Sequence, residues 1–460
     1  MPARLAGARS GQAIAAVLLG VAGGALYTVS PLTCWCAAAL AIVLSLAGRG
    51  LPGSERRTLN IILVTALIVR LAAIGALFVV NIPLHDDESV GMLSGDEAYA
   101  MGRALRTRDI VTGTPVGQYD YLVAGDEYGR NSYVTALTVV QILFGPTPYS
   151  MRLLNTVLFL VAGILLFRMS RSAFGALPAF AGLTALLFLP SLLYWSISLL
   201  KEPLYLLGST LVITGAAGGI RAARARDALL PLAGGLAGLA IVSDLRAGAF
   251  ILTAMGVGAG LAILFFFSSP LRLRIVSAVA ALLVIFAVTS RPAAQQRITS
   301  ALESTAKTQA GHVFTVGHAY KLLDDAFYVN PASASASTLT LTAAQSARYV
   351  IRAAVSFITV PLPWQLVSVR EIAYLPEQLL WYVILALAPI GMVAGWKRDR
   401  AVASLLAGFA LPTAAAIALT NGNVGTLIRM RGIVIPYLIW LGAVGFCACL
   451  QRAATRSATA

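Results

Sequence analysis

Apolar stretches of about 20 residues recur along the whole chain, and they constrain its fold more than any other feature. A helix needs about 20 apolar residues to cross the hydrocarbon core of a bilayer. The chain has 460 residues, of which 58% are hydrophobic and 12% are charged. Soluble domains carry about 25% charged residues. The sequence therefore predicts an all-α polytopic membrane protein.

Hydropathy predicts about twelve transmembrane helices. We place them at 12–30, 32–48, 60–80, 150–168, 174–194, 203–220, 229–243, 247–267, 273–290, 378–396, 401–420 and 431–450. Two long polar stretches, 81–149 and 291–377, connect spans. Each contains a shorter apolar piece, Tyr133–Phe144 and 349–360, that we expect to form an interfacial helix.

Basic residues orient these spans. They cluster in the short turns, at Arg49, Arg56, Arg57, Arg168, Arg171, Arg221, Arg224, Arg226, Arg272, Arg274, Lys397, Arg398, Arg400, Arg452 and Arg456. Cytoplasmic loops are enriched in lysine and arginine, and cytoplasmic termini place every cluster on that side. We therefore expect a multi-pass protein of the plasma membrane, the bacterial inner membrane, with both long loops extracytoplasmic. This pattern accounts for the net charge of +15, so nucleic acid is not an expected partner.

The same topology divides the chain into four segments. Residues 1–58 form a transmembrane hairpin with a basic cytoplasmic turn, and 59–290 form a transmembrane core that includes the first long loop. Residues 291–377 are the second long loop, and 378–460 are the C-terminal transmembrane helices.

Five acidic residues are concentrated in HDDESVGMLSGDEAY, residues 85–99, directly after the third predicted span. Asp96 and Glu97 have the spacing of a helix start with acids in its first turn. An acidic cluster at a membrane surface is a solvated loop, a cation site or a source of a general base.

Asp86, Asp87 and Glu88, together with His85, supply oxygen and nitrogen ligands upstream of that helix start. Carboxylates suit a hard divalent cation such as Mg²⁺ or Mn²⁺. An exposed acidic loop is the alternative interpretation of the triplet.

Several short motifs resemble those of a known enzyme superfamily. They are GDEAYA after a span that contains Arg70, FGPTPYSMRLLNTVLF at 144–159, WSISLLKEP at 195–203 and NGNVGTLIRMRGIVIP at 421–436. Together they resemble membrane glycosyltransferases of the GT-C superfamily, in the branch of the protein O-mannosyltransferases and the lipid A aminoarabinose and galacturonic acid transferases. The resemblance covers most of 60–450. The spans within 12–48 are additional to the usual pattern.

The resemblance implies a GT-C-like fold and a reaction. A sugar on a polyprenyl-phosphate donor is transferred, with inversion, to an acceptor hydroxyl on a lipid, a glycan or a protein outside the membrane. Asp96 matches the catalytic base, with Glu97 beside it and Glu202 as a further carboxylate. The triplet at Asp86 departs from the pattern, and leaves open which acid takes the proton.

The leaving phosphate needs cationic partners. Lys201 lies in a very short connection between apolar runs, which favours a site-facing position. Arg246 is placed near the donor headgroup, or closes a turn as an ion pair with Asp244. Arg429 and Arg431 fall outside the membrane and would hold the donor phosphate, or ordinary anionic lipid.

Three alternatives to this function remain. A polysaccharide polymerase or ligase would use the same fold with a polyprenyl-diphosphate donor. A lipid or sugar transporter would place its charged residues near the bilayer midplane, often on broken helices. A non-catalytic assembly partner would not depend on Asp96.

Overall fold

A computed structural model describes residues 17, 20–21, 23–25, 27–28, 30–81, 95–126, 131–246, 248–315, 317–328, 340–365, 372 and 374–459. Within these residues the chain is built from α-helices, with two short 3-10 turns at Asp325–Tyr328 and Pro363–Gln365. One isolated β-bridge joins Ala319 and Asn423 in this part of the chain. The predicted all-α class is confirmed for it.

The α-helices of this part of the chain occur in the following order. They are α1 (Pro31–Ala47), α2 (Gly53–Asn81), α3 (Gly95–Thr112), α4 (Gln118–Gly125), α5 (Ser132–Phe144), α6 (Pro148–Phe174), α7 (Ala176–Phe188), α8 (Pro190–Ile197), α9 (Glu202–Arg221), α10 (Ala225–Ser243), α11 (Ala249–Ser268), α12 (Leu271–Thr289), α13 (Pro292–Val313), α14 (Ala343–Thr359), α15 (Leu375–Trp396), α16 (Arg400–Thr420), α17 (Val424–Arg431) and α18 (Ile435–Thr459).

Eight of the described helices are long and apolar enough to cross a membrane, and the bent pair α7–α8 adds a ninth if it counts as one span. The eight are α2, α6, α9, α10, α11, α15, α16 and α18. Each coincides with a predicted span. These helices indicate a membrane protein.

The remaining predicted spans differ from expectation. Span 174–194 is not a straight helix, because α7 and α8 meet at an angle of 61°. Leu189, with ψ of 128°, is extended, as sterics favour for a residue that precedes proline. Span 32–48 corresponds to α1, which has 17 residues, and span 273–290 corresponds to α12, but neither is among the eight helices above. Most of span 12–30 lies outside the described residues.

The shorter elements were predicted well from the sequence. The helix start expected at Asp96 is confirmed, since α3 begins at Gly95 with both acids in its first turn. The apolar piece Tyr133–Phe144 is α5, and 349–360 overlaps α14. The triplet Asp86, Asp87 and Glu88 lies outside the described residues, so its metal site stays a prediction.

The chain forms two compact units. The first comprises Met1–Leu165, Leu193–Thr210 and Ala240–Ala247. The second comprises Leu166–Leu192, Leu211–Leu239 and Gly248–Ala460.

Close helix packing in the second unit depends on glycine. A Cβ atom added at Gly408 of α16 would lie 2.2 Å from the backbone nitrogen of Gly260 in α11. A Cβ atom added at Gly391 of α15 would lie 1.7 Å from the carbonyl oxygen of Leu441 in α18. Small residues let membrane helices approach until their backbones touch, which strengthens dispersion contacts where the hydrophobic effect contributes little.

Three basic turns meet at the Arg400 end of α16. Arg221 forms an ion pair with Asp399 and donates to the Ser172 hydroxyl at 3.1 Å. Arg398 donates to the carbonyl of Phe174. Turns that were predicted to share the cytoplasmic side therefore lie together in this unit.

Segments of the second long loop lie at the opposite end of α16. His312 contacts the Thr420 carbonyl at 2.8 Å, and Tyr349 donates to the Leu419 carbonyl. The backbone N–H of Tyr320 donates to the Gly422 carbonyl at 2.8 Å. One end of α16 thus contacts basic turns, and the other end contacts the second long loop. This is the arrangement expected if these connections lie on opposite sides of a membrane.

Candidate active site

Five of the predicted site residues belong to the first unit. Asp96 and Glu97 are on α3, Lys201 and Glu202 are at the start of α9, and Arg246 follows α10. Arg429 and Arg431 belong to the second unit, where α17 carries them.

Asp96 and Glu97 differ in burial. Consecutive helical residues are rotated by about 100°, so neighbouring side chains cannot share a face. The Asp96 side chain is exposed, whereas Glu97 is fully buried, with 0% of its surface accessible. The resemblance favoured Asp96 as the base, and the structure adds that the two acids differ in burial.

Glu97 is held by a buried arginine. The two terminal nitrogens of Arg152, on α6, donate to the two carboxylate oxygens of Glu97 at 3.0 and 3.1 Å. The backbone N–H of Leu199 donates to the same carboxylate. Such bidentate geometry compensates the cost of burying both charges. Because its oxygens are occupied in this way, Glu97 is suited to positioning, and Asp96 is the better candidate for a proton acceptor.

The connection between α8 and α9 is non-helical, and side chains of α6 satisfy its backbone. Thr156 donates to the Ser196 carbonyl at 2.9 Å, Arg152 to the Ile197 carbonyl at 2.8 Å, and Asn155 to the Ser198 and Leu200 carbonyls at 2.6 and 2.9 Å. Irregular backbone within apolar surroundings requires such partners. We call this segment the 196–201 connection. Its geometry fixes where Lys201 and Glu202 emerge.

Glu202 is buried in the first turn of α9, with 3% exposure, and pairs with Arg246. Nη2 of Arg246 donates to Oε1 of Glu202 at 3.0 Å. Oε2 of Glu202 is also buried and has no hydrogen-bond partner among the described residues. The Arg246 side chain is 27% exposed, so this pair has one buried and one accessible member.

The long-range pair of Arg246 and Glu202 was not anticipated from the sequence. The alternative considered there was a local ion pair of Arg246 with Asp244, two residues away. A pairing across 44 residues leaves no local spacing signal.

Arg152 and Asn155 were also missed, although both stand in the apolar run at 150–168. Polar and ionisable residues inside such runs often mark functional or site-supporting positions. Arg70 is a further case in α2: it is fully buried, its Nε donates to the Ser196 hydroxyl at 2.8 Å, and it lies 5.2 Å from the Phe159 ring centre. The available signal in the sequence was an ionisable residue inside an apolar run.

Arg431 is enclosed in the second unit, with 2% exposure. Nη1 donates to Oε1 of Gln378 at 2.8 Å, and Nη2 donates to the carbonyls of Phe357 and Val360 at the end of α14. The guanidinium also lies 5.2 Å from the Trp381 ring centre. Burial lowers the pKa of Arg431 to about 10, so the group stays charged at neutral pH.

These contacts give Arg431 a structural position as a cap on the α14 C-terminus. The predicted phosphate contact of Arg431 stays a prediction, and this geometry disfavours it. Arg429, in the last turn of the same helix, is half-buried and remains the better placed of the two for a headgroup.

Within the described ranges, no group of three or more histidine, cysteine, aspartate or glutamate side chains could hold a metal ion. The triplet predicted to bind a divalent cation lies in the gap between 81 and 95.

Comparison with known proteins gives no match to any family model, curated protein or solved structure.

Proposed function

We propose that this protein is a membrane glycosyltransferase of GT-C type, with about twelve transmembrane helices. It would transfer a sugar from a polyprenyl-phosphate donor to an acceptor hydroxyl on the extracytoplasmic side. One observation carries the proposal: an exposed Asp96 stands next to Glu97, which is bonded to the 196–201 connection that ends at Lys201 and Glu202.

The Glu97–Leu199 hydrogen bond supports a single site. Asp96 directly precedes Glu97, and Glu202 follows Leu199 by three residues. Asp96 and Glu202 therefore each lie within three residues of the Glu97–Leu199 hydrogen bond, and the Glu97–Arg152 pair holds the backbone there. The result is an exposed carboxylate, a lysine and a carboxylate–arginine pair in one unit, which are the residue types that acid–base chemistry on a phosphate-linked substrate needs.

In the proposed reaction Asp96 accepts the proton of the acceptor hydroxyl. The oxygen forms a bond to the anomeric carbon of the sugar, and the bond from that carbon to the phosphate oxygen breaks. The phosphate leaves with the bonding electrons as polyprenyl monophosphate. Attack from the face opposite the phosphate inverts the anomeric configuration.

Lys201 and Arg246 are proposed to neutralise the leaving phosphate. Arg246 is partly exposed, and its bond to buried Glu202 fixes one edge of the guanidinium while the accessible part can meet the donor. Glu202 would orient Arg246, and its second buried oxygen is available to a donor or acceptor hydroxyl.

Both termini are proposed to lie in the cytoplasm. The meeting of three basic turns at one end of α16 supports this assignment, because cytoplasmic turns are basic. The second long loop, whose segments contact the other end of α16, would then be extracytoplasmic together with the site.

The test is a transfer assay with the purified full chain in lipid nanodiscs. Labelled polyprenyl-phosphate hexose is supplied with lipid, glycan and peptide acceptors, with and without EDTA because of the predicted site at Asp86. We expect covalent transfer of label and release of polyprenyl monophosphate. Transfer only from a diphosphate donor would identify a polymerase or ligase, and uptake into proteoliposomes without a covalent product would identify a transporter. Either result overturns the proposal.

A further inference from the structure

A groove between α3 and α4 lies in the first unit, and the proposed chemistry does not use it. Its lining residues are Tyr99, Arg106, Tyr119, Leu122, Val123 and Asp126. The groove opens at the surface, since Tyr119 is 67% exposed and Leu122 is 66% exposed.

One face of α3 connects this groove to Asp96. Asp96, Tyr99, Arg103 and Arg106 are separated by three, four and three residues, which is the spacing of one helix face. At 1.5 Å per residue, Tyr99 lies about 4.5 Å and Arg106 about 15 Å along the axis from Asp96. A ligand in the groove would therefore extend to the proposed base.

The charges of the groove are largely paired within its wall. Nε of Arg106 donates to Oδ1 of Asp120 at 2.9 Å, and its guanidinium lies 5.7 Å from the Tyr119 ring centre. Arg103 is 2% exposed and donates to the Tyr99 hydroxyl at 2.9 Å and to the Ala124 carbonyl at 3.2 Å. A phosphate would have to displace these partners.

What the groove offers instead is aromatic surface bordered by hydrogen-bonding groups. The exposed ring of Tyr119 presents an apolar face, while the hydroxyls of Tyr99 and Tyr119 and the carboxylate of Asp126 can bond to hydroxyl groups. Sugars combine apolar ring faces with many hydroxyls. Tyrosine is also common at membrane surfaces, but the pairing of Arg106 with Asp120 and the carboxylate of Asp126 in the lining disfavour anionic headgroups.

We propose that the α3–α4 groove binds an uncharged glycan and presents its terminal hydroxyl to Asp96. The acceptor class is then a neutral glycan rather than a lipid or a peptide. Presentation to Asp96 rests on the proposed glycosyl transfer, whereas glycan binding itself does not.

The test measures binding rather than turnover. Fluorescently labelled neutral hexose oligosaccharides are titrated against the full chain in nanodiscs, and anisotropy is recorded for the wild type, Tyr119→Ala, Tyr119→Phe and Tyr121→Ala. Tyr121 is the matched control, because it is 58% exposed on the same helix but does not line the groove. We expect Tyr119→Ala to weaken binding about fivefold or more. Tyr119→Phe keeps the ring and loses one hydroxyl, so it should weaken binding less, and Tyr121→Ala should bind as the wild type does.

Equal binding by Tyr119→Ala and Tyr121→Ala, or no binding of any neutral oligosaccharide by the wild type, would overturn the inference. So would Tyr119→Ala losing affinity for phosphatidylglycerol vesicles instead, which would make the groove a lipid contact. Asp96→Asn should retain glycan binding. Binding without sugar transfer would contradict the proposed function alone, and transfer to a lipid or peptide without glycan binding would contradict this inference alone.

Discussion

Asp96 and Glu97 differ in burial because of one helical step of rotation. The sequence predicted a helix start with acids in its first turn, and this is confirmed in α3. It could not predict which acid is buried, since that depends on Arg152, 55 residues away, and on the backbone of Leu199. A partner at that distance leaves no periodic signal, so the burial of Glu97 could not be predicted from the sequence.

Arg431 shows the same limit for a cation. Its position before the last span favoured a lipid phosphate, but its guanidinium binds the end of α14 and Gln378. The N–H groups of arginine donate both to phosphate oxygens and to carbonyl oxygens at a helix C-terminus. The residue type alone therefore does not distinguish the two roles.

We expect Arg431→Ala to destabilise the protein by about 3 kcal/mol, because carbonyls at the buried end of α14 lose their donor. Thermal unfolding in nanodiscs measures this loss, and hydrogen exchange should accelerate at Ser356–Val360. Arg348→Ala on α14 is the control, since the exposed ion pair of Arg348 with Asp324 contributes at most about 1 kcal/mol. Unchanged stability with much weaker donor binding would instead favour the phosphate role.

At the scale of elements, the 196–201 connection is the feature that hydropathy could not reveal. Hydropathy averaged over a window predicts spans at 174–194 and 203–220 with a short connection between them. It does not register the bend at Pro190 or the side chains of α6 that bind the linking backbone. Broken helices lie at the substrate sites of many membrane proteins, because their free backbone groups must be satisfied by specific partners.

Asn155→Ala should loosen this connection. Asn155 is 1% exposed and donates to two carbonyls, so its removal leaves buried acceptors unsatisfied at a cost of about 1–3 kcal/mol. We expect faster hydrogen exchange at Ser198–Lys201 and a lower rate of sugar transfer. Thr135→Ala, on the exposed side of α5, should change neither. Unaltered exchange in Asn155→Ala would show that the connection does not depend on this side chain.

At the scale of the whole molecule, hydropathy located eight of the candidate spans, because crossing a membrane imposes length and composition on each helix separately. Helix packing could not be predicted from hydropathy, since it depends on close backbone approaches such as that of Gly408 and Gly260. Sidedness was predicted from charge and stays a prediction. The described contacts place basic turns at one end of α16 and segments of the second long loop at the other.

Cysteine labelling tests this topology. The four native cysteines are first replaced by alanine, and then Arg226→Cys or Asp325→Cys is introduced at side chains that are 71% and 87% exposed. In intact cells we expect a membrane-impermeant maleimide to label only position 325. Position 226 should react after permeabilisation. Labelling of position 226 in intact cells would reverse the proposed orientation.

The central claim, that an exposed aspartate at the head of α3 is the base of a glycosyl transfer, is tested most directly by Asp96→Asn. The measurement is the initial rate of sugar transfer from polyprenyl-phosphate hexose by the full chain in nanodiscs, with Asp109→Asn on the same helix as the matched control. We predict a loss of about 100-fold or more for Asp96→Asn, the usual contribution of a general base, and a rate within about twofold of the wild type for Asp109→Asn. Full transfer activity of Asp96→Asn would contradict the account.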